Sequence, residues 1–256
     1  MTNYKAEVAY DGSAFCGYQI QNNAETVESA LTNALSTLLS DVSKVYASGR
    51  TDSGVHAEGQ IVAFKSAKIF DTTQTLYALN SILPKSIWIK SLEPVTTSFD
   101  PRRDATSREY RYLFMDSKAP LYMKDRVVEL PYKIDPMLFD DLTESLIGKK
   151  DFAMLRKKGS NETSTVREIF DFSITKKPLT GFYGELDSYY YEARVVANAF
   201  LYRMVRNIMG SVFEVLRGKE SLEDFRAFLN LKNNLFKYTV APAKGLTLVK
   251  VKYEGE

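Results

Sequence analysis

The chain has 256 residues, 45% of them apolar, with 34 Lys and Arg against 32 Asp and Glu for a net charge of +2. This is enough for one large domain or two of ordinary size with real cores, and it argues against wholesale disorder. A single cysteine and a single histidine exclude an internal disulfide, a Cys/His zinc cluster and a two-histidine ribonuclease mechanism within one chain.

Met1 to Glu7 lacks a basic start followed by an apolar stretch, so no signal peptide is expected. No apolar run approaches the roughly 18 residues of a bilayer span. Together with the lone Cys16, this points to a reducing cytoplasm. Tyr4 to Tyr10 places Tyr4, Ala6, Val8 and Tyr10 on one face, which predicts a strand turned by Asp11-Gly12-Ser13. Gly12 and Gly17 have the spacing of a phosphate loop, but Tyr18-Gln19 stands where Lys-Ser/Thr is needed. Val27, Ala30, Leu31, Ala34, Leu35, Leu38 and Leu39 recur at helical spacing and predict a helix over 26–39. Strands at 43–48 and 60–66, a helix near 74–83 stopped by Pro84, and a strand over 87–93 complete the order β-α-β-β-α-β.

The second half repeats that order. Glu109 to Met115 reads as a strand. Asp135-Pro136 starts a helix that Gly148 stops. Strands follow at 166–175 and 187–197, then a helix over 200–217 ended by Gly218, a short helix near 222–230, and a last strand over 246–253. The expected fold is α+β: two tandem ferredoxin-like units with mainly antiparallel sheets. The domains are expected at 1–106 and 107–256.

Basic residues cluster at Arg102, Arg103, Arg108 and Arg111, with Tyr110 and Tyr112 interleaved, and again at Arg156-Lys157-Lys158. Arg203 and Arg206 are expected one turn apart on a helix. Each cluster alone reads as a solvated face, but three clusters beside 16 tyrosines lean toward RNA, where phosphate contacts and base stacking combine.

The segment Gly49-Arg50-Thr51-Asp52-Ser53-Gly54-Val55-His56 falls in a loop between the second and third strands. Taken by chemistry alone, it reads as a turn capped by Asp52 with Arg50 as its surface partner, or as a reactive loop. A Ser53-His56-Asp52 triad is not expected, because its roles require convergent side chains and an oxyanion hole, not adjacency. His56 reads as a hydrogen-bonder that stabilises the loop.

Arg50 to His56 resembles the active-site loop of the tRNA pseudouridine synthase A family. Tyr10-Asp11-Gly12 with Phe15-Cys16-Gly17-Tyr18-Gln19, Ser107 to Tyr112, Asn198-Ala199-Phe200-Leu201 with Met204 to Ile208, and Ala243-Lys244-Gly245-Leu246 resemble its further motifs, in order over nearly the whole chain. Tyr18 stands where the family usually carries Trp, Ile20 where a basic residue is frequent, and Asp151 to Leu155 differs from the usual Asp-Phe-Thr-Ser-Phe. The resemblance implies a homodimer that isomerises uridine to pseudouridine at positions 38 to 40 of the tRNA anticodon stem-loop, in a central RNA-binding cleft, with no cofactor and no metal. It implies that Asp52 is the essential carboxylate, acting on C1′, on the ring or as a base, and the residues leave these three roles open. It further implies that Arg50 takes the space vacated by the flipped base and Tyr110 stacks on the uracil. Arg206 would pair with Asp52, and Leu246 would form an apolar wall. The rival readings are an inactive RNA-binding protein on the same fold and a small-molecule enzyme using a lone carboxylate.

Overall fold

A computed structural model describes residues 1–42, 44–157, 159–160, 163–181, 184–231 and 235–255. The chain forms two compact units, one of residues 1–106 with 247–256, the other of residues 107–246.

The first unit follows the order strand β1 (Thr2–Tyr10), helix α1 (Val27–Leu39), β2 (Tyr46–Ala47), β3 (His56–Ser66), α2 (Thr72–Ile82) and β4 (Ile87–Val95). β1 pairs with β3 on one side and β4 on the other, both antiparallel, and β2 pairs antiparallel with β3. Thr26 starts α1 with a capping box closed by Ser29, and Asp71 caps α2 through the amide of Gln74. Val27, Leu31, Leu35 and Leu39 form the buried face of α1, and Val8, Val62, Phe64, Leu79 and Ile89 join them in this unit's core.

The second unit contains most of β5 (Ala105–Met115), then β6 (Val128–Glu129), α3 (Phe139–Glu144), β7 (Gly148–Asp151), β8 (Val166–Gly181), β9 (Gly184–Ala197), α4 (Met204–Leu216) and α5 (Leu222–Leu229). Antiparallel pairing runs β5–β9–β8–β7, with β6 parallel to β5. Phe114 stacks on Tyr191 at 5.3 Å between ring centroids and meets Phe213 of α4 edge-on at 5.1 Å. Mixed α+β architecture with mainly antiparallel strands is thus what the chain forms.

Three expectations need correction. The last strand, β10 (Leu246–Tyr253), was expected to close the second domain, but residues 247–256 belong to the first unit. Because β2 covers only Val62 and Ala63, the start of β3 has a vacant edge, and β10 takes it in parallel, Thr247 opposite His56 and Leu248 opposite Ala57. The expected helix over 200–217 begins only at Met204, since Arg203 holds a left-handed backbone (φ 63°) as its N-cap. Arg203 and Arg206 therefore do not share a helix. The helix expected from Pro136 to Gly148 opens as a 3-10 turn over Pro136–Leu138 and is helical only to Glu144.

Candidate active site

The 49–55 loop rests on a buried polar floor. Thr51 shares a 2.8 Å hydrogen bond with the Tyr10 hydroxyl. Gln60, fully buried on β3, donates to the carbonyl of Gly49 at 2.8 Å and to the Tyr10 hydroxyl at 3.5 Å, and accepts from the Ser48 hydroxyl at 2.6 Å. Burial pushes the Tyr10 phenol up to about 12, against the opposing pull of its bonds to Thr51 and Gln60.

The Phe15 to Tyr18 segment braces the loop from the side. The amide of Tyr18 donates to the Thr51 carbonyl at 3.0 Å, and the Ser53 hydroxyl donates to the Phe15 carbonyl at 3.3 Å. Gly17, at φ 95°, lies so close that a Cβ there would sit 3.1 Å from the Thr51 oxygen and the Ser53 nitrogen. The same segment serves the start of α1: the amides of Val27 and Glu28 donate to the carbonyls of Gly17 and Tyr18, which satisfies two of the helix's orphan donors. The loop closes at its far end through His56, whose buried Nδ1 accepts from the Gly12 amide at 3.1 Å and lies 3.2 Å from Asp11 Oδ1. On this scaffold the Asp52 side chain is half-buried and Arg50 is exposed. The braced loop thus carries one half-buried carboxylate and one exposed guanidinium.

Tyr110, Arg206 and Leu246 belong to the second unit. Tyr110 is half-buried on β5, opposite Val195, and meets Phe200 edge-on at 5.2 Å. Every residue of α4 is buried except Arg206. Its Nε donates to the Ala241 carbonyl at 2.8 Å, and its own carbonyl accepts from the Ala241 amide at 3.1 Å. The same strap is tied to β5, because the Tyr112 hydroxyl donates to the Pro242 carbonyl at 2.8 Å and Gly245 packs against the Tyr112 ring. Buried Leu246 ends the strap. One segment, 239–246, therefore links the helix of Arg206 to the strand of Tyr110.

The arginine-rich run does not form a basic stripe. Arg108 is buried and donates to the Asn198 carbonyl at 2.7 Å, Arg111 pairs with Glu192 at 3.0 Å, and Tyr112 is core. The alternation of β5 sends Arg108 and Arg111 to opposite faces. Arg102 and Arg103 lie exposed in a turn whose amides donate to the Asp100 carboxylate. In the second basic cluster, Lys157 Nζ sits 4.9 Å over the exposed Tyr202 ring, and Lys158 lies outside the described residues. Among the described residues, no group of three or more His, Cys, Asp or Glu could hold a metal ion, and no helix is long and apolar enough to cross a membrane.

The model of a family described as tRNA pseudouridine synthase matches residues 6–102 and 142–254. A protein named tRNA pseudouridine synthase A from Anoxybacillus flavithermus is 34% identical, over 99% of this chain and 100% of its own. The chain belongs to the tRNA pseudouridine synthase family. A relative of the same name from Pseudothermotoga lettingae is also 34% identical, over 99% of this chain and 100% of its own. Another, from Blochmanniella floridana, is 36% identical over 96% of this chain and 94% of its own. Membership gives the 49–56 loop a context that turn chemistry alone does not supply. Within the floor, Tyr10 and Thr51 fall in the motifs that carry the family resemblance, whereas Ser48 and Gln60 were not singled out from the sequence as part of the site. The available signal was Gln60 itself, a polar residue at the head of the apolar run Ile61-Val62-Ala63-Phe64.

Proposed function

We propose that this member of the tRNA pseudouridine synthase family acts on the anticodon stem-loop of tRNA, at positions 38, 39 and 40, with Asp52 as its essential carboxylate. The observation that carries the reading is the match to relatives named tRNA pseudouridine synthase A along essentially the entire length of both chains. The enzyme is an isomerase. The C1′–N1 bond of uridine breaks, the base turns, and a C1′–C5 bond forms. The C5 proton leaves to solvent and N1 takes one up, so composition and oxidation state are unchanged.

The target base is normally stacked, so it is extruded before it reacts. Exposed Arg50 enters the vacated space, Tyr110 stacks on the flipped uracil, and Leu246 lines the apolar side of the base. Arg206, the one residue of α4 that is not buried, supplies the counter-charge to Asp52. The protein works as a homodimer in the cytoplasm. Intact Asp52, Arg50, Tyr110 and Arg206 favour activity over an inactive RNA binder.

Transcripts carrying uracil tritiated at C5, with uridine retained at only one of positions 38, 39 or 40, test the reading. Tritium release from these transcripts, and none from a transcript lacking all three uridines, is the expected result. Release that is indifferent to those positions would overturn the target assignment, and no release from any tRNA would overturn the activity.

A further inference from the structure

We infer that Gln60 is a positioning residue for the reaction, fixing the backbone that carries Asp52 from inside β3. This rests on the assignment of Asp52 proposed above. The carboxamide of Gln60 has 0% exposure, and Ile61, Val62, Ala63 and Phe64 continue the strand as buried apolar residues. A buried amide without partners is unfavourable, whereas a leucine of similar volume would sit in such a strand at no polar cost. Gln60 instead spends its hydrogen-bonding capacity on the loop. Nε2 holds the Gly49 carbonyl at 2.8 Å, and Oε1 takes the Ser48 hydroxyl at 2.6 Å. Through the Tyr10 hydroxyl, 3.5 Å from Nε2, it reaches the Thr51 hydroxyl at a further 2.8 Å.

The grips fall on Ser48, Gly49 and Thr51, immediately before Asp52. Asp52 itself is half-buried. A carboxylate must lie within a few tenths of an ångström of its productive position, and a displacement of about 1 Å can cost roughly a hundredfold in rate. Loss of Gln60 therefore lowers the chemical step more than it lowers tRNA binding, because Gln60 is sealed from solvent and touches no RNA.

The test uses the full chain and Gln60→Leu, Tyr10→Phe, Thr51→Val and the Tyr10→Phe/Thr51→Val double variant, with Asp52→Asn alongside. Single-turnover tritium release with enzyme in excess gives the chemical rate, and tRNA Kd and Tm are measured separately. For Gln60→Leu, the rate is expected to fall roughly tenfold to hundredfold, with Kd within about twofold of the parent protein, since no phosphate or base contact is lost. Tyr10→Phe and Thr51→Val remove the two ends of one bond, so their rate losses should not add. An unchanged rate per folded molecule in Gln60→Leu overturns the inference. Should Gln60→Leu fail to fold, Tyr10→Phe decides: it deletes one oxygen, and an unchanged rate there overturns the inference as well. An active Asp52→Asn would instead sink the assignment of Asp52, and a dead Asp52→Asn beside full-rate Gln60→Leu and Tyr10→Phe would sink only the role of Gln60.

Discussion

A Cβ built on Gly12 would lie 2.0 Å from the carbonyl oxygen of Val55, a separation no rotamer change relieves, because both partners are backbone. The Gly12 amide also donates to His56 Nδ1, 44 positions along the chain. By local chemistry, Gly12 reads as a turn residue after β1. Its real constraint is the close approach of the Asp52 loop, which no local pattern carries. His56 reads as a hydrogen-bonder of that loop, and its buried ring does bond to Gly12, but the partner lies in a different motif. Gly12→Ala is expected to destabilise the protein by about 1–3 kcal/mol, the usual cost of forced overpacking, and to lower turnover of the folded fraction by shifting the loop. Urea unfolding with an unchanged m-value, combined with single-turnover rates, checks both effects. A neutral substitution would mean that the β1 turn gives way and that the loop is not braced there.

The elements of the first unit were legible where the pattern is local: α1 covers all but the first residue of the 26–39 span, and β1 and β4 contain the expected 4–10 and 87–93. Legibility fails where a partner distant in sequence decides. β2 keeps only two residues, while β10 takes the rest of the β3 edge from the far end of the chain. In α4, buried Leu201 continues the helical spacing backward past the true start, but the left-handed backbone at Arg203 ends the helix there. Gly210 gives the element-scale test. A glycine inside a helix ordinarily costs about 0.5–1 kcal/mol relative to alanine, so Gly210→Ala would stabilise an isolated α4. Here a Cβ would meet the Thr239 carbonyl oxygen at 2.0 Å. The clash should reverse the sign, to a loss of about 1–3 kcal/mol, and loosen the strap that ties Arg206 to Ala241. A gain in stability on urea unfolding would contradict that packing.

Across the whole molecule, the 16 tyrosines that lean toward RNA in composition divide by burial. Tyr46, Tyr77, Tyr122 and Tyr202 are exposed, whereas Tyr10, Tyr18 and Tyr112 are core. Composition counts both sets, and only packing separates them, just as the arginines near Tyr110 count toward RNA until Arg108 and Arg111 are seen to be engaged within the protein. Burial raises the phenols of Tyr10, Tyr18 and Tyr112 above their ordinary value, that of Tyr10 to about 12. A folded value above the unfolded one, about 10, means stability that is complete below about pH 10 and is lost as pH rises toward the folded value. Each such phenol contributes a slope of up to about 1.4 kcal/mol per pH unit in that window. Unfolding free energy should therefore drop between about pH 10 and 12, and less steeply in Tyr10→Phe. A flat profile would show that these phenols ionise as readily in the folded protein as in the unfolded chain.

The proposed reaction turns on one carboxylate, that of Asp52. Asp52→Asn is nearly isosteric and removes only the charge, so loop, fold and RNA surface persist. Tritium release from C5-labelled anticodon stem-loop under single turnover, with tRNA affinity measured on the same preparation, tests it most directly. The predicted result is a rate lower by about three orders of magnitude or more, as for loss of an essential catalytic group, with affinity little changed. Turnover within about tenfold of the parent enzyme would contradict the role of Asp52.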